Sequence, residues 1–182
     1  MRARRLRFIT LFAAIAALVS ISYVVSTTKQ FEADSDRFLR QEHRHIALRH
    51  AQTGALVGSL LIPRLNTQTV IIEGTDRQEL DRAPGHLTGS PLPGQPGNAV
   101  IAGHRDTHFR SLRQLRRGDL VLVETGGDIH FYRVVDQAIV FPTDTSVLDP
   151  TPRPTLTLVT CYPFFFVGHA PKRYILRAEL VS

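Results

Sequence analysis

The chain has 182 residues, 43% of them hydrophobic, which is enough for one globular domain with its own core and too few for two large ones. Its net charge of +6 owes four charges to Arg2, Arg4, Arg5 and Arg7; from Phe8 onward 18 basic residues face 16 acidic ones, a balance that sets nucleic-acid binding aside. A single cysteine, Cys161, excludes an internal disulfide and leaves either a buried inert residue or a free reactive thiol.

Residues 1–7 form a basic flank, followed by FITLFAAIAALVSISYVV, residues 8–25, a run of 18 residues without a charge. As a helix it would span roughly 27 Å, close to the hydrocarbon thickness of a bilayer. Arginines on one flank predict a cytoplasmic N-terminus and an exported remainder. A cleaved signal peptide is the alternative, but the run is long for a signal core and no clean small-x-small site follows it, so an uncleaved anchor is expected. Residues 26–53 are polar, and Phe31, Phe38, Leu39 and Ile46 draw a narrow apolar stripe, which predicts a helical stalk. His43, His45 and His50 within it lack a cysteine or a tight acidic partner and are read as solvent-facing, not as a metal site.

From Gly54 to Ser182 the texture changes to short runs rich in Val, Ile, Leu and Thr: ALVGSLLI, TQTVIIEG, GNAVIAG, DLVLVETGGDIHFYRVVDQAIVF, TLTLVT and RYILRAEL. Many short strands separated by turn residues predict an all-β barrel or sandwich, with TGGD at 125–128 as a hairpin turn and short helices near Asp76–Asp81 and Phe109–Arg116. The segment 84–98 holds four prolines and four glycines, yet it lies between two strands and leads into AVIAGH, so it is expected to be an ordered loop that delivers His104.

Cys161 ends a strand whose alternation puts Leu156 and Leu158 on one face and Thr155, Thr157 and Val159 on the other, so its thiol falls at the rim of the sheet. A free thiol is only about 3% thiolate at pH 7, and a catalytic one wants a basic or cationic neighbour. His104 can exchange a proton at neutral pH; Arg173 cannot, and suits a fixed donor to a carbonyl or oxyanion. The assignment that follows is Cys161 as nucleophile, His104 as acid and base, Arg173 as oxyanion donor. His108, four residues from His104, has no third ligand in view, and no metal site is expected there.

TLVTC at 157–161 resembles the TLxTC signature of sortases, the membrane-anchored cysteine transpeptidases; GNAVIAGHRDTHF at 97–109 resembles the segment of their histidine, and KRYILRAEL the strand of their arginine. The likeness runs from about Gly54 to Leu180, in the family's order of His, Cys, Arg. TCYPFFFVGHAPKRY looks most like the sortases of Gram-negative proteobacteria, which implies a domain in the periplasm tethered to the inner membrane. The resemblance implies a closed barrel of about eight strands and a reaction in which an LPxTG-like sorting signal is cleaved through a thioacyl enzyme and passed to an amine acceptor such as a cell-wall peptide, with no cofactor. Among further residues, Thr160 resembles the family threonine that contacts substrate. Asp106, with Arg105, is placed either to orient the imidazole or to form a local ion pair, and counts with the substrate-binding set. Phe164 opens FFFVG, which either walls the substrate groove or packs beneath the rim. The rival reading is a non-catalytic anchored binding module with Cys161 buried in its core.

Overall fold

The computed structural model describes residues 52–166 and 168–181, so the expected basic flank, anchor and stalk lie outside the described residues apart from the last two stalk positions. Among the described residues no helix is long and apolar enough to cross a membrane.

Eight strands close into a barrel in the order β1-β2-β3-β4-β7-β8-β6-β5. They are β1 Leu56–Ile62, β2 Thr67–Glu73, β3 Gly85–His86, β4 Asn98–Ala102, β5 Leu120–Thr125, β6 Asp128–Val140, β7 Thr155–Tyr162 and β8 Lys172–Val181. β2–β3 and β4–β7 are parallel, and the remaining neighbours antiparallel. The expected closed barrel is therefore what forms. Only β3 had no counterpart in the sequence reading, since two residues are too few to show a period. The helix α1 (Arg77–Leu80) and a 3-10 turn at Arg110–Gln114 fall where short helices were expected. Gly126 and Gly127 turn the β5–β6 hairpin with φ of 63° and 91°, the left-handed pair that a two-residue turn between twisted strands requires.

Alternation fills the barrel. Leu60, Ile62, Ile71, Ile101, Val121, Val123, Leu156, Leu158 and Leu176 converge inside, and Phe109 and Leu112 plug one end. β7 is covered on its outer face too: Thr157 is fully buried and donates to Asn98 Oδ1 (2.6 Å). Asn98 in turn donates from Nδ2 to the Val147 and Asp149 carbonyls (3.1 Å each), fixing the β6–β7 connection over the strand. The Pro/Gly segment is ordered by a buried polar knot that hydropathy does not reveal. His86 Nδ1 lies 2.7 Å from Glu73 Oε2, Thr88 donates to Glu73 Oε1 (2.7 Å), and the Ser90 hydroxyl and Pro91 carbonyl meet His86 Nε2 at 2.9 and 3.0 Å.

Candidate active site

Three adjacent strands build the site. β4 runs parallel to β7 with Ala102 opposite Val159. Beyond that pair the Gly103 amide donates to the Val159 carbonyl (3.1 Å), and the Thr160 hydroxyl donates to the Gly103 carbonyl (2.6 Å). These bonds lock the end of β4 to the end of β7, so His104 leaves the sheet at the rim where Cys161 ends it. Glycine is required at 103 because a Cβ there would stand 2.8 Å from the buried Phe109 ring. On the other side of β7, Cys161 and Arg173 are paired across the antiparallel ladder. Residues directly opposite put their Cβ atoms about 5 Å apart on one face of the sheet.

His104, Cys161 and Arg173 line one open cleft of about 790 Å³, together with Arg77, Leu80 and Asp81 and with Gly168, His169 and Ala170. Cys161 is half-buried and faces this cleft, which removes the packed structural cysteine of the rival reading. Arg173 Nη1 donates to the Ala170 and Lys172 carbonyls (3.3 and 3.0 Å), so one arm of the guanidinium is tied to its own loop. Nη2 and Nε have no protein acceptor among the described residues. Charged side chains in the cleft are Arg77, Arg105 and Arg173 against Asp81 and Asp106, an excess of positive charge that suits a carbonyl oxygen gaining negative charge.

The imidazole's hydrogen-bond partner comes from outside its own loop. His104 Nε2 meets Asp81 Oδ1 at 3.1 Å, across 23 positions and from the residue that caps α1. Asp106 is exposed and lines the cleft without that bond. Arg105 turns away to donate from Nη2 to the Phe166 and Gly168 carbonyls (2.6 and 3.0 Å), tying the histidine loop to the β7–β8 loop. Thr160, expected among the substrate contacts, is 2% exposed on the inward face of β7, and its hydroxyl donates to the Gly103 carbonyl. Phe164 does not line the cleft. It packs edge-on against Tyr162 and Tyr174, at centroid distances of 6.1 and 5.2 Å, and borders a neighbouring hollow with Arg105 and Asp106. The FFFVG stretch thus divides, with Phe164 packed and Phe165 and Phe166 exposed. His108 faces a separate hollow, and among the described residues no three His, Cys, Asp or Glu side chains gather as a metal site.

A thiol, a histidine and an arginine delivered by adjacent strands to one rim of a closed β-barrel define an enzyme that works through a cysteine nucleophile. The particular family follows from comparison: a Sortase domain family model matches residues 60–181, and the chain belongs to the sortase family. It is 35% identical over 159 residues to Sortase D of Bacillus subtilis (strain 168), covering 87% of this chain and 80% of that protein. Among solved structures, a Clostridium perfringens Sortase D5 transpeptidase superposes with a TM-score of 0.69 at 31% identity, covering 78% of this chain and 89% of that one. A Clostridium perfringens sortase C with the C-terminal cell wall sorting motif gives 0.67 at 26%, covering 72% and 74%. The chain is accordingly a cysteine transpeptidase. These relatives are sortases of Gram-positive bacteria, so the likeness reaches the family and stops short of the proteobacterial subtype.

Proposed function

We propose that the protein cleaves an LPxTG-like sorting signal and joins its acyl part to an amine. The observation that carries this reading is the pairing of Cys161 with Arg173 across β7 and β8 in the cleft that also takes His104. The Cys161 thiolate adds to the Thr–Gly carbonyl carbon, and Arg173 donates to the oxygen as it gains charge. Collapse breaks the C–N bond, His104 protonates the departing glycine amine, and a thioester remains on Sγ. An acceptor amine then attacks that carbonyl, its proton passes to His104, the C–S bond breaks, and a new amide leaves. Water takes the amine's place where no acceptor reaches the site.

Residues 8–25 and the arginines before them support a single-pass anchor with the N-terminus in the cytoplasm, and the TCYPFFFVGHAPKRY form supports a Gram-negative inner membrane with the domain in the periplasm. Full-length protein should sediment with membranes; recovery of a shortened soluble form would show a cleaved signal instead. The mechanism is tested by mass spectrometry of the full chain mixed with LPxTG-like peptides. A thioacyl adduct should appear on Cys161 and be absent from Cys161→Ala, and peptide joining by the Ala variant would refute the scheme.

A further inference from the structure

We infer that the rim leading away from His104 is the seat of the amine acceptor, and that the acceptor is a peptide amine carrying carboxylates beyond its reactive end. This rests on the transpeptidase mechanism above.

The sequence from His104 to Arg117 holds five arginines and one carboxylate, Asp106. In the fold four of these charges, Asp106, Arg105, Arg110 and Arg113, line adjoining hollows. Asp106 is exposed and borders both the catalytic cleft and the adjoining hollow of about 350 Å³, so a carboxylate stands at the passage between them. That hollow is bounded further out by Arg110 and by Phe164–Phe166. Arg110 is shared with a further hollow of about 530 Å³, which also takes Arg113 and the Thr67, Thr69 and Ser111 side chains and contains no carboxylate.

Among the described residues no carboxylate pairs with Arg105, Arg110 or Arg113. Two of them rest on exposed rings: the Arg113 guanidinium lies 4.6 Å from the centroid of Phe165, and that of Arg105 lies 5.9 Å from Phe166. Phe165 is 71% exposed, an unusual position for a large apolar ring, and its face holds a cation in place without neutralising it. The result is a row of unneutralised cations, Arg105 and Arg113 held on rings and Arg110 exposed beside them, flanked by hydroxyl donors, a surface built for carboxylates.

An acceptor must bring an amine to the thioester while crossing this row. A bare ammonium is repelled by it, whereas a molecule with an ammonium at one end and carboxylates behind is drawn in one orientation only. Its ammonium meets Asp106 beside His104, and its carboxylates meet Arg110 and Arg113. Beside the thioester the ammonium first gives up one proton to solvent; the free amine then forms the C–N bond, the C–S bond breaks, and the second proton passes to His104, as in the scheme above.

The test uses the full chain in a nonionic detergent, loaded with an LPxTG-like peptide, and offers two acceptors in competition: Gly-Gly-Gly-Glu-Glu and Gly-Gly-Gly-Gln-Gln. Because both compete for the same thioester, the product ratio read by mass spectrometry cancels any change in thioacyl formation. Two exposed charge contacts predict a preference for the acidic acceptor of roughly 5- to 10-fold at low salt, falling toward parity in about 0.5 M salt. The Arg110→Gln/Arg113→Gln variant should bring the ratio to one, and Arg110→Glu/Arg113→Glu should turn the preference toward Gly-Gly-Gly-Lys-Lys. A wild-type ratio near one, or an acid preference that survives the double variants, overturns the acceptor site alone. Absence of any adduct on Cys161 before acceptor is added overturns the mechanism with it.

Discussion

Arg173→Lys separates geometry from charge at the site. The wild-type guanidinium has five N–H donors in a planar fork, and Nη1 is committed to the Ala170 and Lys172 carbonyls. The fork can therefore hold the loop with one arm and present Nη2 and Nε to a substrate oxygen above Cys161, its cross-strand partner. Lysine carries the same charge on a single nitrogen, which either keeps the loop carbonyls or leaves them to reach the substrate. Loss of one aimed donor to a developing oxyanion costs about 100- to 1000-fold in rate, or roughly 3–4 kcal/mol of barrier. We expect Arg173→Lys to lose thioacyl formation by that factor in single-turnover mass spectrometry with an LPxTG-like peptide. Alkylation of Cys161 by iodoacetamide, which needs no oxyanion donor, should stay within about twofold of the wild type. Acylation within threefold of normal in the Lys variant would refute the oxyanion role and leave Arg173 a source of positive field.

His104→Ala should abolish peptide joining, while Asp81→Asn should cost only a few-fold in kcat/KM, because the His104 and Asp81 side chains are 35% and 59% exposed and an exposed pair is worth under about 1 kcal/mol. Comparable losses in both variants would make Asp81 essential and contradict that estimate. His86→Leu should lower the free energy of unfolding by about 3–5 kcal/mol in urea titrations, since it strands Glu73 Oε2 in a site where both side chains are under 5% exposed; a loss below 1 kcal/mol would show that water or Thr88 compensates. Burial pushes the Asp119 carboxyl up, but the Arg116 amide and the Arg64 guanidinium outweigh it and hold the group below its ordinary 3.8. A depressed folded value supplies stability above pH 3.8 that is lost as pH falls through the folded value, so Asp119→Asn should destabilise at pH 7 and converge with the wild type well below pH 3.8. Parallel stability curves for the two proteins across that range would count against the Arg64–Asp119 pair.

The sequence by itself determined an all-β domain of short strands and marked Cys161, His104 and Arg173 as the candidates for the reacting groups. Period-two runs, the glycine pair at 126–127 and the strand ending at Cys161 are local signals, since each follows from how neighbouring residues along one segment share or exchange faces. Closure into a barrel was legible only through family resemblance, and the order of strands and the supporting contacts were not legible at all. Asp81 reaches His104 from 23 residues away because β3 and β4 bring α1 to the same rim. Thr160 reads as a rim hydroxyl in sequence, yet its position on the inward face of β7 turns it to the Gly103 carbonyl. Glu73 and His86 look like surface residues until the parallel pairing of β2 and β3 sets them opposite each other in a closed interior. Such polar contacts depend on which segments closure of the barrel brings together, a long-range property that no periodicity within one segment encodes.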